Sequence, residues 1–216
     1  VTTAHINKVI HDYIISQGAK PNFLGLYGFP ASACISVNDT VIHGIPSTAQ
    51  VIHEGDIVSI DTGALYKGWH GDNAGTFIAG EGSEEARRLI EVTTQSFYEG
   101  LKMALAGNRI GDISHAIQEY VEAHGYSVVR EFVGHGLGRE LHEDPEVPNY
   151  GHPGRGARLV PGMTLAIEPM VNAGTAAVRQ LGDGWTVKTK DGALSAHFEN
   201  SIVITANGPV ILTDPN

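Results

Sequence analysis

The chain has 216 residues, 42% of them hydrophobic and 18% charged, enough for one large buried core. A formal net charge of −10 argues against a nucleic-acid partner, whose phosphates need a basic face. No apolar run reaches the ~18–20 residues of a membrane span and no signal-peptide pattern opens the chain, so neither a membrane nor a secretory route is expected. The single cysteine, Cys34, cannot form an internal disulfide and fits a reducing, cytoplasmic setting.

In chain order, Thr2 or Thr3 caps a first helix whose apolar positions Ile6, Val9, Ile10, Tyr13 and Ile14 follow helical spacing, and Gly18 stops it. Pro21, Gly25, Gly28 and Pro30 break the next stretch. A short strand over residues 33–37 turns at Asn38-Asp39 into a second over 41–43. Residues 51–80 then organise the chain. Residues 57–65 read as one strand, Tyr66-Lys67-Gly68 as a turn and 69–78 as the returning strand. Asp61 and Asp72 lie symmetrically about that turn, which places them opposed or nearly so, with Cβ atoms roughly 4.5–5.5 Å apart. Two such carboxylates repel unless one is protonated or a cation lies between them.

Ser83 caps a long helix with Glu84 and Glu85 in its first turn and a buried stripe of Ile90, Phe97, Leu101 and Leu105, ending at Gly107. Asp112 caps the next helix, whose Ile113, Ala116, Ile117, Tyr120 and Val121 share a face and which Gly125 stops. This helix repeats the first at an offset of 107 positions: Ile6 maps to Ile113, Ile10 to Ile117, Tyr13 to Tyr120 and Gly18 to Gly125. The same offset carries Gly55 onto Gly162, Ile60 onto Ile167 and Asp61 onto Glu168. In the second half the partner strand is displaced by a Gly, Ala and Thr-rich insertion over 172–192. It runs over 196–204 and gives Glu199 the part that Asp72 plays. Asn207-Gly208 turns into a last strand over 210–213. The long helix has no counterpart in the first half, so a helix ahead of Val1 is expected to be missing, leaving apolar surface uncovered there.

The repeat brings Asp61, Asp72, Glu168 and Glu199 together, a buried charge that two divalent cations would balance. A neutral imidazole commonly completes such a site. His135, flanked by Gly134 and Gly136, is the candidate, because glycines let backbone and ligand approach closely. Each acid alone has a plainer explanation: a turn former for Asp61, a surface acid for Asp72, a strand end before Pro169 for Glu168. Taken together, they point to metal. His70, His152 and His197 read as structural or surface residues, and the acidic run of Glu143, Asp144 and Glu146 as a solvated loop.

With VNDTVIHGIP (37–46), DTG (61–63), HGD (70–72), GHGLGRELHEDP (134–145), IEPMVN (167–172) and FENSIVIT (198–205) in order, the sequence resembles the type I methionine aminopeptidases of the pita-bread metallopeptidase family. The resemblance covers essentially the whole chain. It implies a single catalytic α/β (α+β) domain over 1–216, with pseudo-twofold-related halves of about 1–80 and 83–216, a curved antiparallel sheet and outer helices. It implies two divalent metal ions, Mn, Fe, Co or Zn, held by Asp61, Asp72, His135, Glu168 and Glu199, with Asp72 and Glu199 bridging. By the same resemblance, His43, His142 and Glu168 are catalytic. His142 faces the developing oxyanion, His43 the scissile amide or the next carbonyl, and Glu168 shuttles protons around a metal-activated water. The side chain of the first substrate residue, methionine, would enter an apolar pocket of Phe23, Leu26, Tyr27, Phe29, Cys34, Leu141 and Trp185. Phe23, Leu26, Phe29 and Leu141 depart from the residues usual at those places but keep the pocket apolar. The implied partners are the N-termini of nascent polypeptides, with ribosome proximity compatible; a monomer is expected.

Three rivals are weighed against this reading. An Xaa-Pro aminopeptidase of the same fold is disfavoured by HGIP, and a type II enzyme by the 25 residues between His142 and Glu168, too few for that class's helical insertion. A non-catalytic binding protein of this fold would be expected to have lost ligands, and all five are present.

Overall fold

The computed structural model describes residues 1–214. The first half runs α1 (Thr3–Ser16), β1 (Lys20–Pro21), a 3-10 turn (Leu26–Gly28), β2 (Cys34–Val37), β3 (Thr40–Ile42), β4 (Ile57–Tyr66) and β5 (Trp69–Ile78). Helices α2 (Glu84–Met103) and α3 (Ile110–Ala123) follow, then β6 (Ser127–Val128), β7 (Gly134–Gly136), β8 (Glu143–Val147), β9 (Thr164–Ile167) and β10 (Met170–Asn172). The chain closes with β11 (Val178–Gln180), β12 (Val187–Thr189), β13 (Ser195–His197), β14 (Glu199–Thr205) and β15 (Gly208–Ile211).

Nine strands form a curled antiparallel sheet in the order β1-β4-β5-β14-β9-β7-β8, with β2 added on β4 and β15 on β14. Two three-stranded sheets, β13-β10-β6 and β11-β12-β3, flank it. The long hairpin β4–β5 turns on Lys67 and Gly68, both left-handed at φ 50° and 82°, which matches the twist of the strands it joins. The halves meet where β5 pairs β14 over just two positions, Ala74 with Glu199 and Asn73 with Asn200. The repeat is visible in the backbone: α1 and α3 each span 14 residues and start 107 positions apart, as do β4 and β9.

The N-cap of helix α3 lies three residues before the expected one. Arg109 is the extended N-cap and Asp112 sits one turn in, where its carboxylate accepts the Arg109 N–H at 2.7 Å. Thr2, rather than Thr3, caps α1 by accepting the His5 N–H; the Thr3 hydroxyl is buried and donates to the Ser47 carbonyl. The buried face of α2 is rotated from the expected stripe. Ala86, Leu89, Val92 and Phe97 carry it, Ile90 and Leu101 flank it, and Leu105 lies exposed beyond the helix. Gly100 lets α2 and α3 touch, since a Cβ there would lie 2.7 Å from Ile117 Cγ1.

The strand expected over 196–204 is two strands. The chain leaves the small sheet after His197 and enters the main one at Glu199, pivoting on Phe198, whose ring packs 5.3 Å from Phe97 and 6.2 Å from Tyr98. The last strand starts two residues early, at Gly208. On the first half, α1 buries little: Val9 and Tyr13 are 55% and 66% exposed, and neighbouring Phe77 on β5 is 60% exposed. The apolar surface expected there is present. Among the described residues, no helix is long and apolar enough to cross a membrane.

Candidate metal centre

Register across an antiparallel sheet decides which side chains share a face. One row runs Cys34, Asp61, Ala74, Glu199, each paired with the next. Glu168 lies one residue past the Ile167–Asn200 pair and so meets Glu199 at the end of that row. Two positions along, on the same face, a second row runs Gly63, Asp72, Ser201, Ala166, His135. Asp72 joins this row through Ser201, whose hydroxyl accepts the Asp72 N–H at 3.0 Å and donates to its carbonyl at 2.8 Å. The five expected ligands therefore occupy two adjacent rows of one face. Ala74, Ser201, Ala166 and Gly63 are the small residues between them.

Asp61 and Asp72 are not directly opposed. Asp61 pairs with Ala74 and Asp72 with Gly63, because the hairpin turns on Lys67-Gly68, one residue later than the midpoint between the two acids. Diagonal neighbours on one face are still within reach of one another.

Asp72, His135 and Glu199 each offer a ligand atom within 4.8 Å of the others. His135 Nε2 is 3.8 Å from Asp72 Oδ2 and 3.6 Å from Glu168 Oε1. These separations exceed hydrogen-bond length and suit donors converging on a common cation at ~2 Å each. Asp61 Oδ1 and Glu199 Oε1 are buried without a hydrogen-bond partner among the described residues, an arrangement that costs folding free energy and that a cation would relieve. The donor set fits a divalent metal.

The electrostatics show how strained this cluster is. Burial, then the charge of Glu168, pushes the Asp72 pKa up to about 8; burial pushes Glu168 up to about 7 against the attraction of His135. Asp61 and Glu199 lie well above the ordinary carboxylate range through burial and their acidic neighbours. Burial lowers all four nearby imidazoles, His43 and His197 to about 4 and His135 and His142 in the same direction, which keeps them neutral near neutral pH.

His43 sits in the left-handed region at φ 57°, strained for a side chain of its size and held by packing. Its ring meets Phe132 at 5.7 Å and Trp185 at 6.3 Å, both edge-on. Gly44 beside it is required, because a Cβ there would fall 2.2 Å from the Ile35 carbonyl oxygen. His142 is open to solvent on one side and partly enclosed on the other, with its ring 4.4 Å from that of His135 and 6.4 Å from that of Tyr27.

These groups open onto a cleft of about 920 Å³ lined by all five acidic and imidazole candidates, His43, His142, Phe23, Leu26, Tyr27, Phe29, Cys34 and Trp185. Leu141 is not in the wall. It packs in the cluster of Phe23, Phe29, Ala31 and Cys34 that backs the apolar end. Sequence reasoning missed Ile42 and Phe132 in the wall and Arg139 and Glu140 at the rim. Glu143, Asp144 and Glu146 are exposed as expected, yet they also border the cleft, on β8. His197, expected as a structural or surface residue, is buried, with Nε2 3.6 Å from Glu168 Oε2. Its position two residues before Glu199 was the available signal.

A curled antiparallel sheet that gathers buried carboxylates and an imidazole on one face, beside an apolar chamber, is the arrangement of a metal-dependent hydrolase. Metallopeptidase family M24 matches residues 1–206 of the chain. The methionine aminopeptidase of Clostridium acetobutylicum is 59% identical over 99% of this chain and 85% of its own length. Methionine aminopeptidase 1 of Bacillus subtilis is 52% identical, over 99% and 86%. The crystal structure of methionine aminopeptidase from Thermotoga maritima superposes with a TM-score of 0.97 at 49% identity, covering 99% of this chain and 86% of that one. An X-Pro aminopeptidase of the same organism shares the fold alone, at 19% identity and a TM-score of 0.75. The chain belongs to metallopeptidase family M24, and its near relatives are methionine aminopeptidases.

Proposed function

We propose that this hydrolase removes the N-terminal methionine from newly made polypeptides, using two divalent cations held by Asp61, Asp72, His135, Glu168 and Glu199. The observation that carries the reading is the juxtaposition of the two ligand rows with an apolar cluster in the wall of the same cleft, supported by the methionine aminopeptidase relatives. Asp72, His135 and Glu199 form the tightest group, with Asp61 and Glu168 on either flank. Mn²⁺, Fe²⁺, Co²⁺ and Zn²⁺ all suit a carboxylate-rich set with one imidazole, and cellular supply selects among them. Bound cations supply Lewis acidity toward water and toward the scissile carbonyl.

The chain's own residues do the rest. Phe23, Phe29, Cys34 and Trp185, backed by Leu141, receive an unbranched apolar side chain, while Leu26 and Tyr27 border its entrance. Asp61, buried in the site, faces the free amine, which fixes the first residue of the substrate at the ligand rows. Glu168, acting as the carboxylate, takes the proton of the attacking water and returns it to the leaving amine. His142 donates an N–H to the carbonyl oxygen as negative charge grows on it. His43, neutral and fixed between Phe132 and Trp185, donates to the peptide beyond the scissile bond.

The test is hydrolysis of Met-Ala-Ser, Leu-Ala-Ser and a Met-Pro peptide by metal-stripped protein before and after addition of Mn²⁺ or Co²⁺. Cleavage that requires metal and favours Met-Ala-Ser is expected. Binding of metal with no cleavage of any peptide would overturn the activity.

A further inference from the structure

Glu168 lies between two imidazoles. Oε1 is 3.6 Å from His135 Nε2, and Oε2 is 3.6 Å from His197 Nε2. His197 sits at the end of β13 and is only 2% exposed. Its backbone is locked by one hydroxyl: Thr76 accepts the His197 N–H at 2.9 Å and donates to its carbonyl at 2.8 Å. Thr76 is in turn hydrogen-bonded to Ser59 at 2.7 Å, so the ring is anchored to the β4–β5 hairpin. Among the described residues, Nε2 has no hydrogen-bond partner. A buried imidazole with an unused nitrogen is a poor choice for packing alone, because an apolar side chain would fill the space without stranding a polar atom.

We infer that His197 is a positioning residue for Glu168: its Nε2–H faces Oε2 and turns Oε1 toward the position shared with Asp72 and His135. The inference rests on the reading of Glu168 as a metal ligand. Left unrestrained, the carboxylate could rotate and offer a cation either oxygen or both; at 3.6 Å the Nε2–Oε2 pair stands just outside hydrogen-bond length, and a small closure on loading the site would engage Oε2 and leave Oε1 free. Groups that orient a metal ligand in this way affect affinity for the metal as well as rate. What the contact requires is a donor at this place, so a glutamine amide should replace the imidazole and a phenyl ring should not.

The experiment is calorimetric titration of metal-stripped protein with Mn²⁺, in wild type and in His197→Gln, His197→Phe and His197→Ala. The Phe and Ala variants are expected to raise the Kd for Mn²⁺ by about 10–100-fold, with Gln close to wild type. If the Phe variant does not fold, Ala against Gln carries the same comparison. Unchanged affinity in the Phe or Ala variant, or equal loss in the Gln variant, overturns the positioning role. Wild-type protein that binds no Mn²⁺ would instead overturn the metal reading itself.

Discussion

In the second half of the molecule Glu199 stands opposite Glu168 across β14 and β9, whereas in the first half Ala74 stands opposite Asp61 and the acid sits two places along, at Asp72. The pairing of Ala74 with Glu199 at the seam supplies the reason. A carboxylate at position 74 would place four acids in neighbouring positions of one row. Moving the acid to position 72 spreads the charge over two rows and leaves a methyl group where room is needed. The helices differ as well. Ile117 on α3 is fully buried beneath α2, while its counterpart Ile10 on α1 is only partly covered. The repeated backbone is thus a scaffold, and the departures from symmetry make the site and the uneven stability.

The largest expected effect comes from removing the acid at the seam. Glu199→Ala should abolish both Mn²⁺ occupancy and turnover, measured by equilibrium dialysis and peptide hydrolysis; full activity would break the account of the row. His142→Ala tests the other kind of residue, one outside the rows. It should leave Mn²⁺ affinity unchanged and lower kcat by about 10²–10³-fold, the loss typical of an oxyanion donor. An unchanged kcat would remove His142 from the mechanism.

The helix comparison is sharpened by the matched pair Ile117→Ala and Ile10→Ala in urea unfolding. The first should cost about 2–5 kcal/mol as a cavity under α2. The second, partly open to water, should cost about 1 kcal/mol or less. Equal losses would mean that the first half is as well packed as the second.

The smallest effect is a slope with pH in metal-free protein. Asp72 and Glu168, near 8 and 7 when folded, hold protons that an unfolded chain releases near pH 4. Their contribution to stability is therefore complete below about pH 4 and lost as pH rises through 7 to 8. His43 and His197, near 4 when folded, act the other way, losing their contribution as pH falls from about 6.5 toward 4. Between about pH 6.5 and 8.5 the carboxyls decide, so the thermal midpoint should fall with rising pH and flatten once Mn²⁺ is bound. A midpoint that rises across that window would contradict the assignment.

Much of this was legible in the sequence because period-two and helical patterns survive in the repeat. The 107-residue offset places α1 on α3 and β4 on β9, and with them Asp61 on Glu168. What sequence could not supply was register. The centre of a hairpin is set by which residues take left-handed backbone, and Lys67-Gly68 moved it by one, turning opposed acids into diagonal ones. Nor does a single chain reveal that one strand is two: the break at Phe198 depends on the aromatic group of Phe97 and Tyr98, brought from a helix some hundred residues away. His197 was hidden by the same break, since its environment belongs to the hairpin of the other half.

The most direct test of the two-row centre is the number of Mn²⁺ ions bound by stripped wild-type protein, counted while Met-Ala-Ser hydrolysis is followed in the same samples. Two ions per chain, with turnover appearing as the sites fill, is the result expected. Full turnover in protein that holds no divalent metal would contradict it.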